Sequence, residues 1–189
     1  AADFASRDAA LSPRGEGVHG AAFVVALGAV IPAFDDLNAA IEDALEYIPA
    51  DCQAASAVRF GQSLANEPDA VERLHDRYSS LSPVHTINNL ALVVWALCAS
   101  DGDFGAAIGD AVAAGWDTDC NGATVGGLFG LMHKSVPDAW ITPWNERVGV
   151  SLAGYDELSV EELTDRTVSV AQSITANFFT NGDMLGRVS

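Results

Sequence analysis

Residues 18–30 and 87–98 are apolar on nearly every side, and no stretch of the chain sustains the period-two alternation of a half-buried strand. Runs of this length and uniformity belong to helices at the centre of a bundle. A third segment fixes the class. Phe104, Ala107, Ile108, Ala111 and Val112 recur at i, i+3, i+4, i+7 and i+8, one face of an α-helix. The chain is therefore expected to fold as an all-α protein, and no solenoid repeat is visible in it.

The remaining elements follow from their punctuation. Residues 11–17 are a loop by their proline and glycines. Pro32 ends the first apolar helix. Leu37, Ile41, Ala44, Leu45 and Ile48 mark the buried face of the next, with Glu42, Asp43 and Glu46 opposite, and Pro49 stops it. Residues 52–65 form a further helix, and Val71, Leu74 and Tyr78 mark a short one after Pro68, with His75 expected to face solvent. Residues 79–83 are a loop and Asp101-Gly102 a turn. Residues 137–144 make an irregular aromatic segment. Ser159 and Glu162 make a capping box for a helix through about Ala176, after which an Asn-Gly turn marks a tail expected to fray. The domain expectation is one all-α domain over 1–176 and a tail over 177–189.

Composition narrows the partners. The chain has 189 residues, enough for one domain with a proper core, and 49% of them are hydrophobic, which excludes disorder. Twenty-six acids against nine bases give a net charge of −17, and Lys134 is the only lysine. That balance argues against nucleic-acid binding and against an anionic membrane surface, both of which need positive charge. Cys52, Cys98 and Cys120 show no zinc-type spacing and no disulfide framework, which fits a reducing cytoplasm. Cys98 lies in an apolar run and reads as a core thiol. The longest apolar stretches are broken by glycine or proline and fall short of about 20 residues, so a soluble, cytoplasmic protein is expected.

The chemistry concentrates in Gly115-Trp116-Asp117-Thr118-Asp119-Cys120-Asn121-Gly122, continuing to Gly126-Gly127. This is an acidic turn entering a helix rich in small residues. Carboxylates two apart on a tight turn can converge on a hard divalent cation. The same residues can instead cap the helix, because Asp117, Thr118 or Asp119 suits an N-cap and the helix dipole favours negative charge there. Gly122, Gly126 and Gly127 put bare backbone on that helix, open to a second helix or a ligand.

The whole string resembles the C-terminal metal motif of the ADP-ribosylglycohydrolase family. The resemblance extends through His85-Thr86-Ile87-Asn88-Asn89 upstream and Pro137-Asp138-Ala139-Trp140 downstream, covering about residues 9–171. It implies an orthogonal helical bundle. It also implies hydrolysis of the N- or O-glycosidic bond of ADP-ribose held on a protein or small molecule, through an oxocarbenium-like transition state at the ribose carbon. Such enzymes use a binuclear magnesium or manganese site. By this resemblance Asp117 and Asp119 are metal ligands, and Cys120 stands where the family supplies a hydroxyl ligand. Sulfur suits magnesium poorly, so Cys120 is either a third, ill-matched ligand or a residue that only packs. Trp116 and Thr118 would line the rim of the pocket. His85 and Asn88 would belong to a loop near the ADP-ribose site, although a plain N-cap at Thr86 explains that segment as well.

Two departures from the family pattern carry expectations of their own. In residues 11–20, Pro13 stands where the family usually places a histidine, and His19 is no replacement for it. The family's N-terminal acidic motif and its catalytic carboxylate have no counterpart in these residues; Asp35-Asp36 sits in the wrong context. The chain is thus expected to be the C-terminal portion of a metal-dependent hydrolase. The alternative is a catalytically silent ligand-binding or structural relative. Either way it is expected to pair with its missing half or with a copy of itself.

Overall fold

The computed structural model describes residues 1–12, 14–151 and 153–185, with side chains described as far as Thr175. Among these the helices are α1 (Ala2–Ala9), α2 (Glu16–Val30), α3 (Leu37–Leu45), α4 (Gln53–Ser63), α5 (Ala70–Arg77), α6 (Thr86–Ala99), α7 (Phe104–Ala113), α8 (Thr118–His133), α9 (Asp138–Ile141) and α10 (Val160–Leu185). Short 3-10 turns at Ile31–Ala33 and Thr142–Trp144 continue α2 and α9. Among the described residues the protein is all-α apart from one small hairpin. The chain divides into two units, Ala1–Val136 and Pro137–Ser189.

In the first unit α6 is the axis. It packs against α2, α4, α5, α7 and α8, and every residue from Ile87 to Leu97 except Asn89 is buried. That explains why its sequence shows no polar stripe. Each fully buried Leu or Val adds roughly 1.5–3 kcal/mol relative to exposure. The tightest approach is to α4, where a Cβ at Gly61 would run into the backbone oxygen of Ala91.

α2 departs from its expected place. Gly20, Ala22, Phe23, Ala26 and Leu27 are buried, but Val25 and Ala29 are exposed. Neighbouring helices cover one side of a helix that is apolar all round. The open side borders an apolar groove lined by Val25, Gly28, Ala29, Gly127 and Leu131. Residues Glu16–Ala33 are also long and apolar enough, by length and composition alone, to cross a bilayer, with a mean hydropathy of 1.5 over 18 residues. These 18 residues contain Pro32 and three glycines and stay short of about 20, as the sequence reading has it, and a partly buried core helix passes the same measure.

Loop chemistry behaves as expected at several ends. Asp36 accepts the N–H of Asn38 at 2.9 Å to start α3, and Asp103 accepts that of Ala106 at 2.7 Å to start α7. Gly122 and Gly126 of α8 face α7, where added Cβ atoms would come within 3.1 Å of Val112 and Ile108. These two glycines serve helix packing; Gly127 faces open space.

The second unit contains the hairpin, β1 (Arg147–Gly149) against β2 (Glu157–Ser159), with Val148 opposite Leu158 and an Arg147–Glu157 ion pair at 2.7 Å. Residues 137–144, read as irregular, contain a short helix and a 3-10 turn from Asp138 to Trp144. Ser159 Oγ accepts the N–H of Glu162 at 3.0 Å, the first half of the anticipated capping box. α10 runs through the Asn-Gly pair to Leu185, beyond the stop expected near Ala176. Val160, Leu163, Val170 and Ile174 are exposed along it.

Candidate metal and ligand site

The site grows from the turn between α7 and α8. Ala114 closes α7, and the chain reverses through Gly115 (φ 90°) and Trp116 (φ 59°). A left-handed tryptophan costs on the order of 1–3 kcal/mol and persists only where its surroundings hold it. Here they do. The Trp116 ring lies 4.4 Å from the His75 ring and 6.4 Å, edge-on, from that of Tyr78. The Nε2–H of His75 donates to the Ala114 carbonyl at 2.8 Å. His75 is exposed by area, yet its ring ties α5 to the turn, a role its expected solvent-facing position did not include.

The turn delivers Asp117 to the N-cap position of α8, where its side chain makes no capping bond. Its backbone N–H donates instead to Asn89 Oδ1 at 3.3 Å. Asn89 is the hub of the site. The same oxygen accepts from buried Asn121 Nδ2 at 2.8 Å, while Asn89 Nδ2 donates to the carbonyls of Pro83 at 2.7 Å and His85 at 2.9 Å. One amide thus ties the start of α6 to the start of α8.

Asp117, Asp119 and Cys120 bring ligand atoms within 4.8 Å of one another. Hydrogen bonding from the thiol to Asp117, together with the charges of Asp117 and Asp119, raises the Cys120 pKa above its ordinary value. The thiol therefore stays protonated beside two anionic groups. The two carboxylates fit a hard divalent cation, helped by Asp117 being free of capping; the sulfur does not. Asp117 and Cys120 border a cavity of about 340 Å³ between α2, α6 and α8, lined among others by Gly20, Thr86, Asn89, Asn121 and Thr124. Gly20 allows this closeness, since a Cβ there would collide with Thr86 Cγ2. The volume lies in the range of small-molecule sites.

The other candidates fall around the cavity. His85, not Thr86, caps α6, its Nδ1 accepting the N–H of Ile87 at 3.2 Å, and Thr86 is the first helical residue. Asn88 is wholly buried; its Nδ2 donates to the Ser82 carbonyl at 3.3 Å and its Oδ1 has no partner. Trp116, Thr118, His85 and Asn88 are not among the described residues lining the cavity, whereas Asn89 and Asn121 are. Pro13 lies outside the described residues. A partnerless-looking pair of asparagines in an apolar helix was the signal for the hub, but it does not say which of the two faces α8.

The family model for ADP-ribosylglycohydrolase matches residues 1–176. The chain belongs to the ADP-ribosylglycohydrolase family. The match covers both the turn and the cavity, and the all-α architecture agrees with it. No curated protein and no solved structure matches the chain. Membership of this family suggests ligands of the ADP-ribose type.

Proposed function

We propose that the chain takes part in metal-dependent hydrolysis of the glycosidic bond joining ADP-ribose to a protein or small molecule. The observation that carries this reading is Asp117. It occupies an N-cap without capping, beside Asp119, on the rim of a ligand-sized cavity. A plain cap would have its carboxylate on the N–H groups of α8.

In this proposal Asp117 and Asp119 hold magnesium or manganese, and Cys120 only packs. A bound ion of this kind orients ribose hydroxyls and makes water a better nucleophile. The chain's own residues supply position. Asn89 fixes the Asp117 backbone, Thr86, Asn121 and Thr124 offer polar groups to a ligand, and Val24 and Leu90 give it an apolar wall. In the same proposal Thr118 and Trp116 act at the rim, and His85 and Asn88 act from the start of α6, next in sequence to Thr86 and Asn89 of the lining. The apolar groove beside α2 and the exposed apolar residues of α10 support pairing with another chain, a second copy included.

Titration calorimetry with manganese, then with ADP-ribose, tests the reading, alongside turnover of ADP-ribosylated arginine and serine peptides. Metal binding that Asp119→Ala abolishes, with ADP-ribose binding that requires metal, is the expected result. Ligand binding without turnover would favour a silent binder. No binding of either would leave a scaffold.

A further inference from the structure

A second cluster of ligand-type side chains lies where α2 meets α4, on residues the first site does not use. Glu16, His19 and Cys52 place a carboxylate oxygen, a ring nitrogen and a sulfur within 4.8 Å of one another. Cys52 is buried, and Glu16 and His19 are partly so. Cys52 is the N-cap of α4, its Sγ accepting the N–H of Ala55 at 3.3 Å, and Glu16 Oε2 accepts that of Ala54 at 2.9 Å.

Helix capping explains two of the three. It does not explain why a thiol stands where serine or aspartate caps better, nor what His19 does. His19 Nδ1 is buried with no hydrogen-bond partner, 3.6 Å from Glu16 Oε2. Orphaned buried nitrogens are uncommon and call for a missing partner. A separation of 3.6 Å is long for a hydrogen bond but close to that between two ligands on one tetrahedral ion, each about 2.0–2.2 Å from it.

We propose that Cys52 Sγ, His19 Nδ1 and Glu16 form a structural site for a borderline-soft divalent cation of the zinc type, joining the first turn of α2 to the start of α4. The donor set decides the class of ion, since thiolate and imidazole select zinc-like metals over magnesium or manganese. The two sites then divide their metals by chemistry: carboxylates for a hard ion at α8, sulfur and nitrogen for a soft one at α4.

The test uses cobalt(II) as the probe on the full chain carrying Cys120→Ser, which removes the exposed competing thiol. The expected result is one tightly held cobalt per chain, with a thiolate-to-cobalt charge-transfer band that zinc abolishes. The band should vanish in Cys52→Ser, where serine preserves the cap, and binding should weaken in His19→Ala. Asp117→Ala should leave it unchanged, which separates this site from the one at α8. Absence of the band, or its survival in folded Cys52→Ser or undiminished binding by His19→Ala, overturns the proposal. His19 would then only share a long contact with Glu16.

Discussion

Asn89 shows how much one side chain can carry. Its amide uses both ends, the oxygen taking Asp117 N–H and Asn121 Nδ2 and the nitrogen serving two carbonyls of the loop before α6. Asn89→Ala leaves the Asn121 amide buried without its acceptor, a loss of about 1–3 kcal/mol. Denaturant unfolding should show that loss, and calorimetry should show weaker manganese binding in the same variant. Asn89→Asp keeps the accepting oxygen and loses the donors, so it should retain more of the binding than of the stability. Cys98 offers a second prediction. Burial first, and the charge of Asp36 second, push its thiol from 9.0 to about 12. The unfolded chain therefore releases this proton at lower pH than the folded one, and stability must fall as pH climbs from 9.0 toward about 12. Unfolding free energies measured across that window should decline less steeply in Cys98→Ala; an unchanged slope would mean the thiol is not responsible. Tyr78, raised by burial, adds a slope of the same sign that persists in the variant.

Elements were legible where a single face or a continuous apolar run defined them. The 87–98 run became α6, and the i, i+3, i+4 series became α7, because burial on all sides or on one side leaves an unmistakable period. What escaped was phase and long-range company. Asn88 and Asn89 lie about 100° apart on one helix, and nothing local says which meets α8. The hairpin of three-residue strands is too short to show alternation, and Glu16, His19 and Cys52 come together only through the packing of α2 on α4. The same packing makes glycine substitutions unequal. Gly61→Ala drives a methyl into the Ala91 carbonyl, a backbone atom that cannot swing aside, so a loss of about 1–3 kcal/mol or more is expected. Gly109, on an exposed part of α7 with nothing within 4 Å, should accept alanine and gain about 0.5–1 kcal/mol from helix propensity. Thermal melts of the two variants should move in opposite directions.

At the scale of the molecule, charge dominates. A net −17 over 189 residues makes the folded surface repel itself, and the ion pairs Arg59–Glu42, Arg73–Glu67 and Arg166–Glu162 are exposed. Raising salt from about 0.01 M to about 1 M shortens the screening length from about 30 Å to about 3 Å. The melting temperature should rise over that range, because relief of repulsion outweighs the loss of weak surface pairs. A fall would mean that the ion pairs matter more than their exposure suggests.

The left-handed Trp116 also bears on portability. Its ring rests on α5, its neighbour Asp117 hangs from an amide on α6, and the carboxylates themselves sit on α8. Copying residues 115–121 into another helical protein would transplant the ligands without their bearings. The smallest transferable unit is a three-point mount: His75, the segment 82–89 and the turn itself.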